Sequence, residues 1–392
     1  MLSRRVSRLK PSATLTITAK AKELRRRGED VVSFGAGEPD FDTPEFVKEA
    51  CFRALREGKT KYAPSAGIPE LREAIAEKLL RENGVAYDPS EIVVSAGAKM
   101  VLFLIFMALL DEGDEVILLS PYWVTYPEQI RLLGGVPVVV PLSEEEGFVP
   151  SAERIAERFS ERTKAVILNS PNNPTGALYP KKVLAEIAQL CLERGVFLIS
   201  DECYEAFVYD GEEFVSVASL SEDVRRITFT VNAFSKTFAM TGWRVGYVAC
   251  PPEFARVIAD LNSQTVSNVT TFAQFGALEA LRNPESARYV EAMREEFRRR
   301  RDRACELIEE IPGVSVHRPK GAFYLFPNFS TYASKIGGDV RLAQELLEKG
   351  KVACVPGSPF GAEGYLRISY ALDRESLEKG IERIRSTLEK LD

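Results

Sequence analysis

The sequence predicts an α/β fold: a mainly parallel, seven-stranded sheet in a large domain, with a smaller α+β domain beside it. Three observations carry that expectation. Seven short, continuously apolar runs, at 92–94, 116–119, 136–140, 165–168, 196–199, 227–231 and 245–249, alternate with helical stretches such as 98–110 and 181–194. Runs without polar alternation belong to strands covered on both faces, the usual condition of parallel sheets. After about Leu281 the texture changes to charged helices and isolated apolar runs, and 392 residues are too many for one ordinary core.

Taken in order, residues 11–27 read as a helix closed by Gly28, and 31–34 as a short strand running into Gly35-Ala36-Gly37-Glu38-Pro39-Asp40. Thr43 reads as an N-cap with Pro44 at the first helical position. Phe46, Val47, Ala50, Cys51, Ala54 and Leu55 then recur at helical spacing as far as Gly58. A loop at 61–67 precedes a helix carrying Leu71, Ile75 and Leu79, and the seven strands follow. Beyond 281, a helix bearing Arg298-Arg299-Arg300-Arg301 leads to strands near 323–326, 352–355 and 366–369 and a last helix to Leu391. The expected division is a large domain at 45–281 and a small one built from both chain ends, 1–44 and 282–392. Glu295, Glu296 and Asp302 surround the arginine run, which therefore reads as a solvated helix face and not a nucleic-acid patch.

Composition narrows the function. Hydrophobic residues at 45% and charged residues at 28% fit a globular protein, and a net charge of -6 spread along the chain gives no nucleic-acid footprint. The longest apolar run, 100–110, is core-sized and falls short of a membrane span. The basic N-terminus has no apolar segment behind it, which argues against a secretory signal. The six cysteines are scattered with no C-x-x-C pair, as expected of reduced thiols in a cytoplasm. His317 is the only histidine, which excludes His-rich metal sites and most Ser-His-acid triads; no metal is expected.

In a sheet of this kind function gathers on loops at the carboxyl ends of the strands. The run 227–231 delivers the chain to Ser235 and Lys236, and Arg244 opens the next run. A lysine amine in a partly dry pocket loses its proton more easily, and the neutral amine attacks carbonyls to give a Schiff base. Arg244 is a fixed cation suited to a phosphate. An aldehyde-trapping amine with a phosphate clamp points to pyridoxal 5'-phosphate. Asp201, where the run 196–199 ends, can be the anion its pyridine nitrogen needs. Asn173 and Tyr204 can donate to its phenolic oxygen, and Gly97, Ala98 and Lys99, opening a helix, can receive its phosphate on backbone N–H groups.

Taken together these motifs resemble the class I aminotransferases of pyridoxal-phosphate fold type I, in the bacterial aspartate aminotransferase-like branch. The resemblance runs nearly end to end, from Lys10-Pro11-Ser12-Ala13-Thr14 through Ala36 to Asp40, Pro121-Tyr122-Trp123, Ser170 to Gly176, Asp201 to Tyr204 and Ser235 to Gly246, to Arg367-Ile368-Ser369-Tyr370. It implies that Lys236 carries the cofactor and shuttles protons, that Trp123 stacks on the ring, and that Gly37 and Arg367 bind the substrate α-carboxylate. It also implies a homodimer in which Tyr62 reaches the neighbouring subunit's phosphate. Lys10 and Lys99 match positions associated with a second carboxylate, so the expected donor is aspartate and the acceptor 2-oxoglutarate, with prephenate also open. One departure is Ala233, where the family has Gly or Ser; a phosphate hydrogen bond worth about 1 kcal/mol is expected to be missing. An aromatic or alanine-type aminotransferase and a β-lyase would use the same residues. A non-catalytic cofactor-binding regulator is less favoured, because the first strand of the resemblance begins within about thirty residues of the start, which is expected to leave no room for an added DNA-binding module.

Overall fold

The computed structural model describes residues 13–391, so Lys10 and Pro11 lie outside the described residues. Among these residues are twelve strands: β1 (Val32–Ser33), β2 (Ile92–Ser95), β3 (Glu115–Ser120), β4 (Val136–Pro141), β5 (Thr163–Asn169), β6 (Phe197–Asp201), β7 (Thr228–Ala233), β8 (Gly246–Ala249), β9 (Tyr324–Leu325), β10 (Val352–Ala353), β11 (Val355–Pro356) and β12 (Leu366–Ser369). The seven apolar runs form one sheet in the order β2-β8-β7-β6-β5-β3-β4. Only β8 runs against its two neighbours; the other pairings are parallel. The carboxyl ends of β2, β3, β5, β6 and β7 therefore open on a single edge. Register sets their spacing there: Asn169 pairs with Asp201, and both Ser95 and Ala233 pair with Gly246.

Both faces of this sheet are covered, which is why its strands read as unbroken apolar runs. Val101, Leu102 and Ile105 of the helix Ala98–Leu109 pack with Val93, Val231 and Val248 on one side. Leu184, Ile187 and Cys191 of the helix Lys181–Arg194 pack with Ile117, Val166 and Leu198 on the other. Each such side chain contributes about 1.5–3 kcal/mol by leaving water. No helix of the described residues is long and apolar enough to cross a membrane. All six cysteines are free thiols.

The two ends of the chain meet. β1 pairs in parallel with β10, the Phe34 N–H donates to the Ala353 carbonyl at 2.9 Å, and the Ser369 N–H to the Phe34 carbonyl at 3.0 Å. A second, three-stranded sheet has the order β11-β12-β9. Its apolar cluster joins Val32, Phe297, Leu325, Ile368 and Leu377 and extends to Tyr204 and Phe207, just past β6. The open edge of the large sheet thus faces this second core.

Two local expectations need correction. The helix at Glu45–Arg56 is preceded by Pro44, not capped by Thr43. The Thr43 hydroxyl is instead taken by tertiary partners, donating to the Ala239 carbonyl at 2.7 Å and accepting from the Trp243 indole at 3.1 Å. The face of that helix is also narrower than its spacing suggests: Val47, Ala50 and Ala54 are buried, while Leu55 is exposed. The arginine run is not a solvated face. Arg298 and Arg299 pair with Glu295 on the outside, but Arg300 and Arg301 are buried. At 3.6 residues per turn, four consecutive side chains spread around most of a helix, so two of them must turn inward. Arg300 meets Asp40 at 2.8 Å, and Arg301 meets Asp210 at 2.7 Å and Asp302.

Candidate active site

A cavity of about 400 Å³ opens at the carboxyl edge of the large sheet, and its walls include Gly37, Lys99, Trp123, Asn173, Asp201, Tyr204, Lys236, Arg244 and Arg367. Residues spread over more than three hundred positions meet there because each lies at or beyond a strand end, just before the antiparallel β8 in the case of Arg244, or belongs to a strand of the second sheet.

Lys236 lies in a one-turn helix, Phe234–Thr237, immediately after β7. Its ammonium donates to the Gly37 carbonyl and lies 5.9 Å from the centre of the Tyr204 ring. Desolvation dominates its titration and pushes its pKa down to about 8. About a tenth of the amine is therefore neutral, and nucleophilic, at pH 7, against well under a hundredth for an ordinary lysine.

Asp201 ends β6 and is buried. The Tyr126 hydroxyl donates to its Oδ2 at 2.6 Å and the Cys203 N–H to its Oδ1 at 3.2 Å. Burial still raises its pKa, against those hydrogen bonds. A carboxylate so placed gains most from a cationic or N–H partner inside the cavity.

A relay of amides ties the backbone of Asp201 to the arginine. Asn169 donates to the Asp201 carbonyl at 3.1 Å, the Asn173 N–H donates to Asn169 Oδ1 at 2.9 Å, and Arg367 Nη1 donates to Asn173 Oδ1 at 3.0 Å. Arg367, on β12, is 1% exposed; Nη2 donates to the Gly35 carbonyl at 3.0 Å, and its Nε has no partner. No carboxylate neutralises it among the described residues. Tyr324 stacks on its guanidinium at 4.5 Å and shares a 2.8 Å hydrogen bond with the Tyr204 hydroxyl. A buried guanidinium held only by carbonyl oxygens and the Tyr324 and Phe360 rings, with an unused N–H, is a receptor for an anion.

The opposite end of the cavity forms a cradle. Gly97 precedes the helix Ala98–Leu109 with φ of 79°, and a Cβ there would stand 2.5 Å from Arg244 Nη2. A Cβ on Gly246 would stand 2.6 Å from the Ala98 nitrogen. Only glycines allow Arg244 and the first turn of the helix to approach this closely. Arg244 itself donates to the carbonyls of Thr241 at 2.8 Å and Ala96 at 3.3 Å and has no carboxylate partner among the described residues. A guanidinium beside free helical N–H groups suits a phosphate. Lys99, in that first turn, lies 5.0 Å from the centre of the Trp123 ring; desolvation and then Arg244 lower its pKa.

Tyr62 is not brought to this cavity. It is 90% exposed, beside a separate recess lined by Lys61 and Thr271. Several cavity residues have no local sequence signal: Tyr126 and Tyr324 look like ordinary core aromatics, and Thr18, Lys22 and Glu38 come from the N-terminal segment. Tyr126 alone could have been suspected, since it lies three residues after Trp123, at the start of the helix Thr125–Leu132.

Comparison with known proteins bears on this arrangement. Residues 29–384 match the family described as aminotransferase class I and II. A probable aspartate/prephenate aminotransferase of Aquifex aeolicus is 70% identical over 390 residues, covering 100% of this chain and 99% of the relative. The aspartate/prephenate aminotransferase of Thermus thermophilus is 53% identical, covering 99% of this chain and 98% of the relative. The solved structure of aspartate aminotransferase from Thermus thermophilus with maleate superposes with a TM-score of 0.95 at 52% identity, covering 99% of both chains.

Proposed function

We propose, from the premise that this chain belongs to the class I and II aminotransferases and is a transaminase, that it moves the amino group of L-aspartate to 2-oxoglutarate and also accepts prephenate. The cofactor in this reading is pyridoxal 5'-phosphate. The observation that carries it is the desolvated Lys236 amine in the same cavity as the buried Asp201 carboxylate. The donor set fits the cofactor at each end. Arg244 and the N–H groups at Ala98 and Lys99 would hold its phosphate, with one hydroxyl fewer because Ala233 stands at the strand end. Asp201 would keep its ring nitrogen protonated, Trp123 would cover the ring, and Tyr204 and the Asn173 side-chain amide would donate to its phenolic oxygen.

When bound, pyridoxal phosphate supplies an aldehyde that captures amino groups and a protonated ring that accepts the electron pair left at the α-carbon. The chain does the rest. Arg367, through its spare Nε–H, and the Gly37 N–H fix the α-carboxylate, which orients the Cα–H bond. Lys236 Nζ removes the α-proton and later returns a proton, being tethered beside the carbon it serves. Lys99 meets the second carboxylate of an acidic substrate, and Lys10 is assigned to the same carboxylate. The protein is further proposed to be a cytoplasmic homodimer, with the exposed Tyr62 reaching the neighbouring site, and to divide into domains at 45–281 and at 1–44 with 282–392.

The test is spectroscopic. Purified protein loaded with pyridoxal phosphate and mixed with L-aspartate alone should convert its absorption band to that of the amino form. Addition of 2-oxoglutarate, and separately of prephenate, should restore it. An unchanged band with aspartate, or release of CO2 and alanine without interconversion, overturns the proposal.

A further inference from the structure

The cavity carries more positive charge than the proposed chemistry uses. Its walls hold five cations, Lys22, Lys99, Lys236, Arg244 and Arg367, and two carboxylates, Glu38 and Asp201. Four of the cations have assignments above: the cofactor's attachment, its phosphate, the α-carboxylate and, for Lys99, a second carboxylate. Lys22 has none.

Lys22 lies on the helix Ala13–Arg26, four residues after Thr18, which borders the same cavity. That spacing puts the two on one helix face. Other basic groups near the end of this helix are engaged elsewhere: Arg25 donates to the Val31 carbonyl at 2.8 Å, and Arg27 pairs with Glu23. Lys22 is exposed, and among the described residues no carboxylate forms an ion pair with it. Its charge therefore borders the cavity without an ion-pair partner among the described residues. The wall it belongs to also differs from that of Lys99. The helix Ala13–Arg26 packs on β1, β10 and β11, whereas the helix that starts beside Lys99 packs on β2, β7 and β8.

We propose that Lys22 is a specificity-determining residue: it supplies, from the wall formed by the N-terminal helix, a further cation, beyond those assigned above, for the remote carboxylate of dicarboxylic amino and oxo acids. This rests on the aminotransferase reading above and adds a residue to the recognition of the acidic substrates that reading names. Two ammonium groups on separate walls, each a point charge on a flexible four-carbon stem, can follow a carboxylate placed at more than one distance from the α-carbon. A single rigid guanidinium fork would fix one length. Excess positive charge at a cavity mouth also draws dianions in preference to monoanions.

The experiment compares equilibrium binding of two non-reacting ligands to the cofactor-loaded protein, maleate as dicarboxylate and isovalerate as monocarboxylate, by calorimetry and by the cofactor's absorbance. Lys22→Gln should raise the Kd of maleate by about three- to five-fold, the upper end for an exposed ion pair, and leave that of isovalerate nearly unchanged. The loss should shrink as salt is raised. Lys22→Arg should retain part of the preference, and Lys20→Gln, on the same helix but outside the cavity wall, should behave as wild type. With aspartate, Lys22→Gln should raise KM and leave kcat. Equal effects on the two ligands, or none on either, overturn the role of Lys22. Failure of wild-type protein to convert its cofactor with any amino donor overturns the aminotransferase reading instead, so the two failures are distinguishable.

Discussion

The strand end at Ala233 separates two cavities that differ in what they do with charge. The one behind it, about 600 Å³, is the larger and is lined by Lys78, Arg81, Glu82, Glu205, Asn232 and Arg294 among others. Apart from the exposed Arg282, its charges are matched within the chain. Lys78 pairs with Glu205 and donates to Asn83 at 2.7 Å, Asn232 donates to Glu205 at 2.6 Å, Arg81 meets Glu82 at 2.6 Å, and Arg294 meets Glu291. The cavity in front, about 400 Å³, holds Arg244 and Arg367 with only carbonyl or amide oxygens as acceptors, and Lys99 over a ring. Size therefore does not mark the site. What marks it is a group of cations, buried at Arg367, half-buried at Lys236 and exposed toward the cavity at Lys99 and Arg244, for which the described residues supply no counter-charge; the buried one in particular is costly unless a guest completes it.

That contrast breaks most decisively at Lys236. Lys236→Ala should lower kcat/KM for aspartate by about 10³-fold or more, because it removes both the anchoring amine and the proton carrier. The paired variant Lys78→Met/Glu205→Gln, which empties the rear cavity of its principal charges, should leave turnover essentially unchanged. Comparable losses in both, with both proteins folded, would mean that the rear cavity belongs to the catalytic apparatus and that the comparison is wrong.

Stability should respond the other way round. Lys78→Met alone leaves the Glu205 carboxylate, 11% exposed, without its cation and should cost about 3–5 kcal/mol. Adding Glu205→Gln removes the stranded charge and keeps an acceptor for Asn232, so the double variant should recover most of the loss in thermal denaturation. A double variant no more stable than Lys78→Met would show that the rear network is held by packing and not by charge matching.

The same contrast explains what the sequence disclosed and what it hid. All seven strands of the large sheet were legible because both faces are buried, which leaves unbroken apolar runs such as Val166 to Leu168. Asp201, Asn173 and Lys236 were legible because each follows such a run, and Arg244 because it opens the next one after a stretch of turn formers. Tyr126 and Tyr324 were not, since a tyrosine that reaches a carboxylate 75 positions away, or another tyrosine 120 positions away, has no local signature. Arg300 and Arg301 misled for a related reason. Their acidic helical neighbours suggest solvent, yet their decisive partners, Asp40 and Asp210, lie 260 and 91 positions away. Local chemistry is written in the chain order; charge matching across the fold is not.

The smallest expected effect sharpens the comparison at adjacent residues. Asp201 borders the front cavity, whereas Glu202, next in the chain, is directed to the rear network. Its Oε1 accepts from Ser200 at 2.8 Å, Ser216 at 2.9 Å and the Val217 N–H at 3.3 Å, and its buried Oε2 has no partner. Desolvation, and then the Glu205 charge, push its pKa from 4.5 up to about 8. Below pH 4.5 the folded and unfolded chains both hold this proton, and between 4.5 and about 8 only the folded chain does. Folding then takes up a proton, so this group's contribution to stability falls as pH rises through that window and levels off above it. Glu202→Gln imitates the protonated acid at every pH. The Tm of the variant relative to wild type should therefore climb from pH 5 to pH 8 and stay level beyond, measured by calorimetry at fixed ionic strength. Parallel Tm curves across that range would mean that Glu202 is ionised in the folded protein and that its charge is matched like the rest of the rear network.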